Sequence, residues 1–600
     1  MNDSAPENLL TAWSTLLVDS LAAAGVRDVI ASPGSRSTPF LLAALANPRV
    51  RVVDVIDERA AAFFALGQAR VTGVPSVLLC TSGSAAAHYL PAVIEADQAG
   101  VPLLILTADR PTELMHVAAN QTIDQRLLFQ GYARRVVDVG APDAAPSALR
   151  GLRRLAVQSV ALARAPHPGA VHLNLRARKP LEPVVADSAP ARALEAEIGR
   201  LTSVRVPEVS EGRVTAAPEV LESIARRCIA ARRGLIVAGP APASQAADRP
   251  SVRALARSAG FPLFADAASQ LRFTGESLVP ETAMIDAGDW LYRLPAAERV
   301  WRPDLIVQLG APPTSGVWER FLARHPEIER IVIAPTGWPD PHSSASEFLH
   351  ADVGGACRDL AIAIERLRPA GDAALDFSHM LSSVNARVRA TLDAFLEVSG
   401  PGLIEPAVAH VVTRHLPAGA CLVLGNSLPI RMVDAWCPGP LSEVRVLSQR
   451  GASGIDGLIS GAAGAASVAD GPVVLLVGDV SALHDIGGLA LGSVARVPLV
   501  VVVVNNKGGR IFEQLPVGNA VREDALRHFT TPHARDFEHA ARLYGCAFHR
   551  VATRAALEAA LAVALDQPRC TLIDAVVPPH GAAEGQRLIL EALRSAGVGT

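Results

Sequence analysis

Two apolar runs near the C-terminal end, residues 473–477 and 500–504, are each followed at once by small and oxygen-bearing residues. Gly478-Asp479 follows the first and Asn505-Asn506-Lys507-Gly508-Gly509 the second. Runs this short and this rich in valine have the composition of strands buried on both faces of a parallel sheet. Residues 482–495, between them, are expected to form a crossover helix, and the spacing fits a βαβ unit of roughly 30 residues. Such a unit opens both strand C-termini on one edge of the sheet, where ligands bind, so Asp479 and Asn506 are expected to converge there. A carboxylate, an amide oxygen and the carbonyl of Gly508 make a hard-oxygen set suited to Mg²⁺, with positions left for phosphate and water. An ordinary βαβ unit with polar strand ends fits the same residues.

The N-terminal third repeats the pattern of strand, small polar turn, helix. Residues 8–24 have apolar side chains at helical spacing, with Gly25 as a C-cap. A short strand at 28–31 leads into Ser32-Pro33-Gly34-Ser35-Arg36-Ser37-Thr38-Pro39. Backbone amides and Arg36 suit an anion there, and a plain helix cap fits equally. The next strand, from Arg51, is expected to end at Asp57-Glu58, just before an Ala-rich helix. That places Glu58 at a strand C-terminus beside apolar neighbours, where an acid is also favoured by the helix dipole alone. Strands at 77–80 and 103–106 end in Thr81-Ser82-Gly83 and Thr107-Ala108-Asp109-Arg110-Pro111. An amide-rich loop, Asn120-Gln121-Thr122-Ile123-Asp124-Gln125, follows, and 171–175 reads as a last strand. This alternation predicts a doubly wound parallel sheet.

Residues 181–218, rich in Pro, Ala and charge, are expected to be a linker. Strands at 235–238, 261–265, 304–309 and 330–334 predict a second, plainer α/β domain. It lacks G-x-G-x-x-G, which excludes dinucleotide binding by that fingerprint and favours a structural role. A second linker is expected at 366–376. The last third has a strand at 421–424 followed by Gly425-Asn426-Ser427-Leu428-Pro429-Ile430-Arg431. Then come Gln449-Arg450-Gly451-Ala452-Ser453-Gly454-Ile455-Asp456-Gly457 and a Gly/Ala-rich helix, whose glycines would allow close backbone approach to a ligand. The loop from Gly508 to Pro516 could close over a ligand, and a final strand is expected at 570–577. The fold class is therefore α/β, with three doubly wound parallel-sheet domains at 1–185, 186–376 and 377–600.

Composition narrows the partners. Of 600 residues, half are hydrophobic but only 4% aromatic, which suits small side chains packed between sheets and helices. A net charge of −3, with no basic block, gives no reason to expect nucleic acid. Seven scattered cysteines, without any C-x-x-C, argue against a disulfide framework or a zinc site and suit a reducing cytoplasm. No signal peptide is evident at the N-terminus, and no apolar run approaches the roughly 20 residues that span a bilayer, so no membrane insertion is expected.

Gly478-Asp479, followed after a helix by Asn505-Asn506, resembles the thiamine-diphosphate-binding motif, with Val480 where the third residue is usually Gly. Two similar α/β domains flanking a plainer one resemble the architecture of the thiamine-diphosphate decarboxylase superfamily. Seven segments in order extend the match: 32–39, Asp57-Glu58-Arg59, 107–111, Asn120-Gln121-Thr122-Ile123, Gly425-Asn426-Ser427, 450–457 and 505–512. Together they resemble the MenD family, the 2-succinyl-5-enolpyruvyl-6-hydroxy-3-cyclohexene-1-carboxylate synthases of menaquinone biosynthesis. The middle domain does not share in the match.

The resemblance implies decarboxylation of 2-oxoglutarate on thiamine diphosphate and 1,4-addition of the succinyl carbanion to isochorismate. It implies that Glu58 bonds the aminopyrimidine ring and that Ile455 wedges beneath the cofactor. Asp479, Asn506 and the Gly508 carbonyl would hold Mg²⁺, with Mn²⁺ as an alternative ion. Ser427, Gly478, Ser481 and Ala482 would line the diphosphate. Arg36, Arg110, Arg431 and Arg450 would meet substrate carboxylates, because a planar guanidinium binds carboxylate bidentately. Ser35, Asn120 and Gln121 would add hydrogen bonds, and Ile511, Phe512 and Leu515 an apolar wall. The active site would span two subunits of a homodimer or homotetramer. Another thiamine-diphosphate 2-oxoacid decarboxylase or synthase, or a non-catalytic scaffold relative, remains the alternative at this stage.

Overall fold

The computed structural model describes residues 6–368, 375–398, 400, 402–439 and 442–599. Eighteen strands form three six-stranded sheets. The first contains β1 (Asp28–Ala31), β2 (Arg51–Asp54), β3 (Ser76–Cys80), β4 (Leu103–Asp109), β5 (Arg135–Gly140) and β6 (Ala170–Arg176), in the order β2-β1-β3-β4-β6-β5. The second contains β7 (Gly234–Ala238), β8 (Leu263–Ala265), β9 (Met284–Ile285), β10 (Leu305–Leu309), β11 (Glu329–Ala334) and β12 (Glu347–His350), in the order β12-β11-β10-β7-β8-β9. The third contains β13 (Cys421–Leu424), β14 (Arg445–Ser448), β15 (Val473–Gly478), β16 (Leu499–Asn505), β17 (Ala547–Val551) and β18 (Cys570–Val576), in the order β14-β13-β15-β16-β18-β17. Every pairing within them is parallel.

The first and third sheets share one topology, with chain reversal between β1 and β3 in one and between β13 and β15 in the other. Those are the switch points where a doubly wound sheet opens a crevice at its strand C-termini. The middle sheet instead has the order familiar from dinucleotide folds. Its switch-point crevice is closed by backbone: a Cβ on Gly239, after β7, would lie 2.2 Å from the carbonyl oxygen of Ala311, after β10.

The chain makes two compact units. One comprises Met1–Gly212, Gln449–Val468 and Asp485–Arg496; the other comprises Arg213–Ser448, Ala469–His484 and Val497–Thr600. In the first, helices Leu9–Ala23, Pro146–Arg164 and Ala189–Ser203 close over a core of Trp13, Leu16, Leu17, Leu104 and Leu173. In the second, Arg272 is buried and donates to the Ala265 carbonyl and to both the backbone and the carboxylate of Asp434, tying the middle sheet to helix Leu428–Trp436. Burial pushes the Asp434 carboxyl up to about 7, against the pull of Arg272.

Four expectations change. The 181–218 linker contains a 15-residue helix, Ala189–Ser203, whose buried stripe of Ala191, Leu194, Ile198 and Leu201 has helical spacing hidden among alanines and charges. The crossover at 482–495 is not one helix. A short helix, Asp479–His484, stops at Asp485, and Ile486–Val494 winds as 3₁₀ turns. Asp485 accepts the amide and hydroxyl of Ser460 and so leaves the helical path. Strand β2 stops at Asp54, three residues before Asp57, and Glu58 opens the next helix instead of ending a strand. The glycines of helix Leu458–Ala466 serve packing: a Cβ on Gly464 would lie 2.0 Å from the Phe64 carbonyl oxygen, so this helix lies directly on helix Glu58–Thr72. The expected linker at 366–376 falls largely on 369–374, outside the described residues.

Candidate active site

In the second unit, a pocket with an empty volume of about 470 Å³ opens at the switch point of the third sheet. Ser427 lines it after β13, Gly478 at the end of β15, Asp479 and Ser481 after it, and Asn506 and Gly508 after β16. Asp479 is 2% exposed. Its Oδ1 accepts the Val480 amide at 2.7 Å and its Oδ2 the Gly508 amide at 2.9 Å. His533 Nε2 lies 3.3 Å from Oδ2. Burial raises the Asp479 carboxyl, and the His533 charge and three backbone amides oppose it.

The two asparagines divide their work. Asn505 is buried and donates to Asp574 at 2.8 Å, which is a structural bond. Asn506 donates its Nδ2 to Glu405 Oε1 at 3.2 Å, while its Oδ1 is buried with no partner among the described residues. A buried acceptor without a donor is costly unless a ligand supplies the missing interaction. An orphaned amide oxygen beside a buried carboxylate therefore fits a hard cation. The Gly508 carbonyl accepts the Arg510 amide at 2.9 Å and keeps a second lone pair. Gly508 has φ +150, and a Cβ there would lie 2.6 Å from the Thr530 carbonyl oxygen, so the turn that brings its amide to Asp479 requires glycine.

Other expected residues border this pocket or its neighbouring loop. Ser427 has φ 71 and does not cap helix Leu428–Trp436 with its side chain. Arg431 is half-buried and donates to the Ser427 carbonyl at 2.7 Å. Ala482 is buried. Ile511 packs on the core, Phe512 lies with its ring 5.8 Å from that of Phe529, and Leu515 is 41% exposed.

The first unit holds a second constellation at its own switch point. The loops after β1 and β3 meet: the Arg36 amide donates to Thr81 Oγ1 at 3.2 Å. The Arg36 side chain is buried and donates to the Ala177 carbonyl at 2.8 Å. Burial lowers its pKa, and the charge of Arg110 lowers it further. Arg110 Nε is buried without a partner among the described residues, and the Arg110 amide donates to Asp109 at 2.7 Å. Two guanidiniums close enough to repel, one with an unused donor, suit an anionic ligand. Gln121 and Ser82 exchange hydrogen bonds at 2.9 and 3.0 Å, while Ser35 and Asn120 are exposed.

Glu58 is half-buried at the first turn of helix Glu58–Thr72, after the N-cap Asp57. Its neighbour Ile56 is 89% exposed. Arg450 and Ile455 lie in the loop before helix Leu458–Ala466, with Ile455 36% exposed. Glu58, Arg36, Arg110, Gln121, Arg450 and Ile455 thus belong to the first unit, and Ser427, Arg431, Asp479, Asn506 and Gly508 to the second.

The sequence does not show what several residues of these constellations touch. Gln125 is buried and accepts the Gly83 amide at 2.8 Å, pinning the amide-rich loop. Glu95 holds the backbone of the Arg450 loop. Glu405 is 1% exposed, and burial pushes it up to about 7. Gln125 lies in the amide-rich loop, and Glu95 and Glu405 in helices, and only the fold reveals what each touches.

Residues 12–128 match the thiamine pyrophosphate enzyme N-terminal binding domain, and 442–575 match the C-terminal binding domain of the same enzymes (thiamine pyrophosphate is thiamine diphosphate). Three relatives carry the name 2-succinyl-5-enolpyruvyl-6-hydroxy-3-cyclohexene-1-carboxylate synthase. The protein of Sorangium cellulosum is 46% identical over 97% of this chain and 95% of its own length. That of Geobacillus kaustophilus is 40% identical over 89% of each. That of Myxococcus xanthus is 38% identical over 94% of each. The chain is a thiamine-diphosphate enzyme and belongs to the 2-succinyl-5-enolpyruvyl-6-hydroxy-3-cyclohexene-1-carboxylate synthase family.

Proposed function

We propose that this enzyme decarboxylates 2-oxoglutarate and transfers the resulting succinyl unit by 1,4-addition to isochorismate, within menaquinone biosynthesis. The carrying observation is the near-full-length likeness to synthases of that name, in a chain with a cation-ready pocket at the third sheet's switch point. Thiamine diphosphate, when bound, supplies the electron sink for losing CO₂.

The chain's own residues do the rest. Asp479, the unpartnered Asn506 oxygen and the Gly508 carbonyl hold Mg²⁺, or Mn²⁺, against the diphosphate. The Ser427 and Ser481 hydroxyls bond phosphate oxygens, and Gly478 and Ala482 keep the wall small. Glu58 would hydrogen-bond the aminopyrimidine ring, and Ile455 would pack against the cofactor. Arg36, Arg110, Arg431 and Arg450 pair with substrate carboxylates, aided by Ser35, Asn120 and Gln121. Ile511, Phe512 and Leu515 exclude water from the ring of the acceptor.

The enzyme works as a homodimer or homotetramer in the cytoplasm, with Glu58 of one copy serving the diphosphate pocket of another. Ile56 beside Glu58, Val117 at 62% and Leu127 at 58% exposure supply apolar surface for a second copy to cover. Domains divide at 185 and 376. Among the described residues no helix is long and apolar enough to cross a membrane.

The test is CO₂ release from 2-oxoglutarate, with thiamine diphosphate and Mg²⁺, while isochorismate is followed. Isochorismate is expected to disappear in step with CO₂. Release of CO₂ with isochorismate untouched would assign another acceptor. Glu58→Gln is expected to abolish most turnover while leaving cofactor binding intact; indifference to that change would mark a scaffold.

A further inference from the structure

An asparagine carboxamide has an oxygen end and a nitrogen end of nearly equal size, and only its neighbours decide which end faces which way. A cation in the pocket requires the oxygen; the amide nitrogen, carrying two protons, would repel it. At Asn506 the deciding neighbour is Glu405. Its Oε1 lies 3.2 Å from Asn506 Nδ2 and accepts a hydrogen bond from it, so it draws the nitrogen end toward itself. The oxygen end is left buried and without a partner.

Glu405 is itself fixed. It stands at the first turn of helix Glu405–His415, is 1% exposed and lines the pocket. Its other oxygen packs against Gly581, where an added Cβ would lie 2.7 Å away. Glu405 Oε2 has no hydrogen-bond partner among the described residues, so the bond to Asn506 is the one that orients the carboxylate.

We infer that Glu405 is a positioning residue that locks the Asn506 carboxamide with its oxygen toward the cation. This rests on the proposed reading that Asp479 and Asn506 hold a divalent ion. Groups that orient metal ligands in this way typically govern affinity by 10–100-fold when removed.

The experiment measures Mn²⁺ affinity by electron paramagnetic resonance on the full chain with thiamine diphosphate. Glu405→Leu is expected to weaken Mn²⁺ binding at least about tenfold, within that range. The decisive background is Asn506→Asp. A carboxylate has oxygen at both ends and needs no orienting, and it also repels Glu405. In that background Glu405→Leu is expected to leave Mn²⁺ affinity unchanged or tighter. A merely structural role would weaken binding in both backgrounds, and that result overturns the inference. If Glu405→Leu does not fold, Glu405→Gln carries the same test, because a glutamine can offer either end and so no longer selects. Unchanged affinity in Glu405→Gln and in Gly581→Ala, which displaces the carboxylate, overturns it too. Wild type that binds Mn²⁺ while every Glu405 variant binds it equally well removes the positioning role and leaves the cation reading standing. Wild type that binds no Mn²⁺ overturns both.

Discussion

Glu95 accepts the amide of Ala452 at 2.6 Å, more than 350 positions along the chain, and its other oxygen accepts the Gly451 amide at 3.1 Å and the Arg70 guanidinium. One buried carboxylate thus holds the backbone beside Arg450. Glu95→Ala leaves two amides and a largely buried cation without an acceptor. Breaking a buried pair from one side costs about 3–5 kcal/mol. The expected outcome is a lower urea midpoint with an unchanged slope, together with weaker substrate binding through a loosened Arg450 loop. An unfolding free energy within about 1 kcal/mol of wild type would mean that the loop is held by something else.

Asp479 makes a different kind of prediction, because its neighbours survive its neutralisation. Asp479→Asn keeps an oxygen for one backbone amide but removes the charge that would face the proposed cation. Saturating thiamine diphosphate with Mg²⁺ should raise the wild-type melting temperature by mass action. In Asp479→Asn that rise is expected to vanish, and the Mg²⁺ needed for half-maximal CO₂ release to increase by at least about 100-fold, above the usual effect of a residue that only orients a ligand. A normal thermal shift in the variant would remove Asp479 from the cation site.

The interior of each sheet was legible because its strands are buried on both faces and read as continuous apolar runs, as at Val473–Gly478 and Leu499–Asn505. Most edge strands were not, β2 at Arg51–Asp54 being the exception. Arg135–Gly140 and Ala547–Val551 are half-exposed and carry charges, so nothing in their composition separates them from loops. Asp479 and Asn506 could be read from the strand ends they follow. Glu405, Glu95 and Gln125 could not, since what matters is a bond to a residue dozens or hundreds of positions away. The glycines of helix Leu458–Ala466 show the opposite failure. Their need for close approach was visible, but the approach is to the Phe64 backbone and not to a ligand.

His172 sets a pH limit on stability. It is fully buried in β6, its Nε2 lies 2.7 Å from Thr107 Oγ1, and burial pushes it down to about 4. In the unfolded chain it titrates near 6.5. A depressed folded pKa means that the unfolded state binds the proton first. The stability contribution is whole above pH ~6.5 and is lost as pH falls from there through about 4, at up to about 1.4 kcal/mol per pH unit. His172→Gln, which can still bond Thr107, is expected to flatten that slope between pH 6 and pH 4 in urea titrations. A variant with the wild-type slope would assign the acid sensitivity to other groups; His410, also buried and held at about 4, has the same sign.

Arg36 and Arg110 should fail in different ways when shortened. Arg36 braces the Ala177 carbonyl as well as facing Arg110, so Arg36→Lys is expected to lower thermal stability and raise KM together. Among the described residues Arg110 Nε has no partner, so Arg110→Lys is expected to cost little in the resting enzyme. Its cost falls on the ligand: a lysine cannot reproduce a planar, bidentate grip on a carboxylate. The KM for one of the two acids should rise roughly tenfold or more, the equivalent of losing one charge-assisted hydrogen bond, with kcat changed much less. Steady-state kinetics with each substrate varied in turn identifies which acid Arg110 meets. Unchanged KM values for both, in a variant that melts with wild type, would show that the repulsion between the two guanidiniums is relieved by something other than substrate.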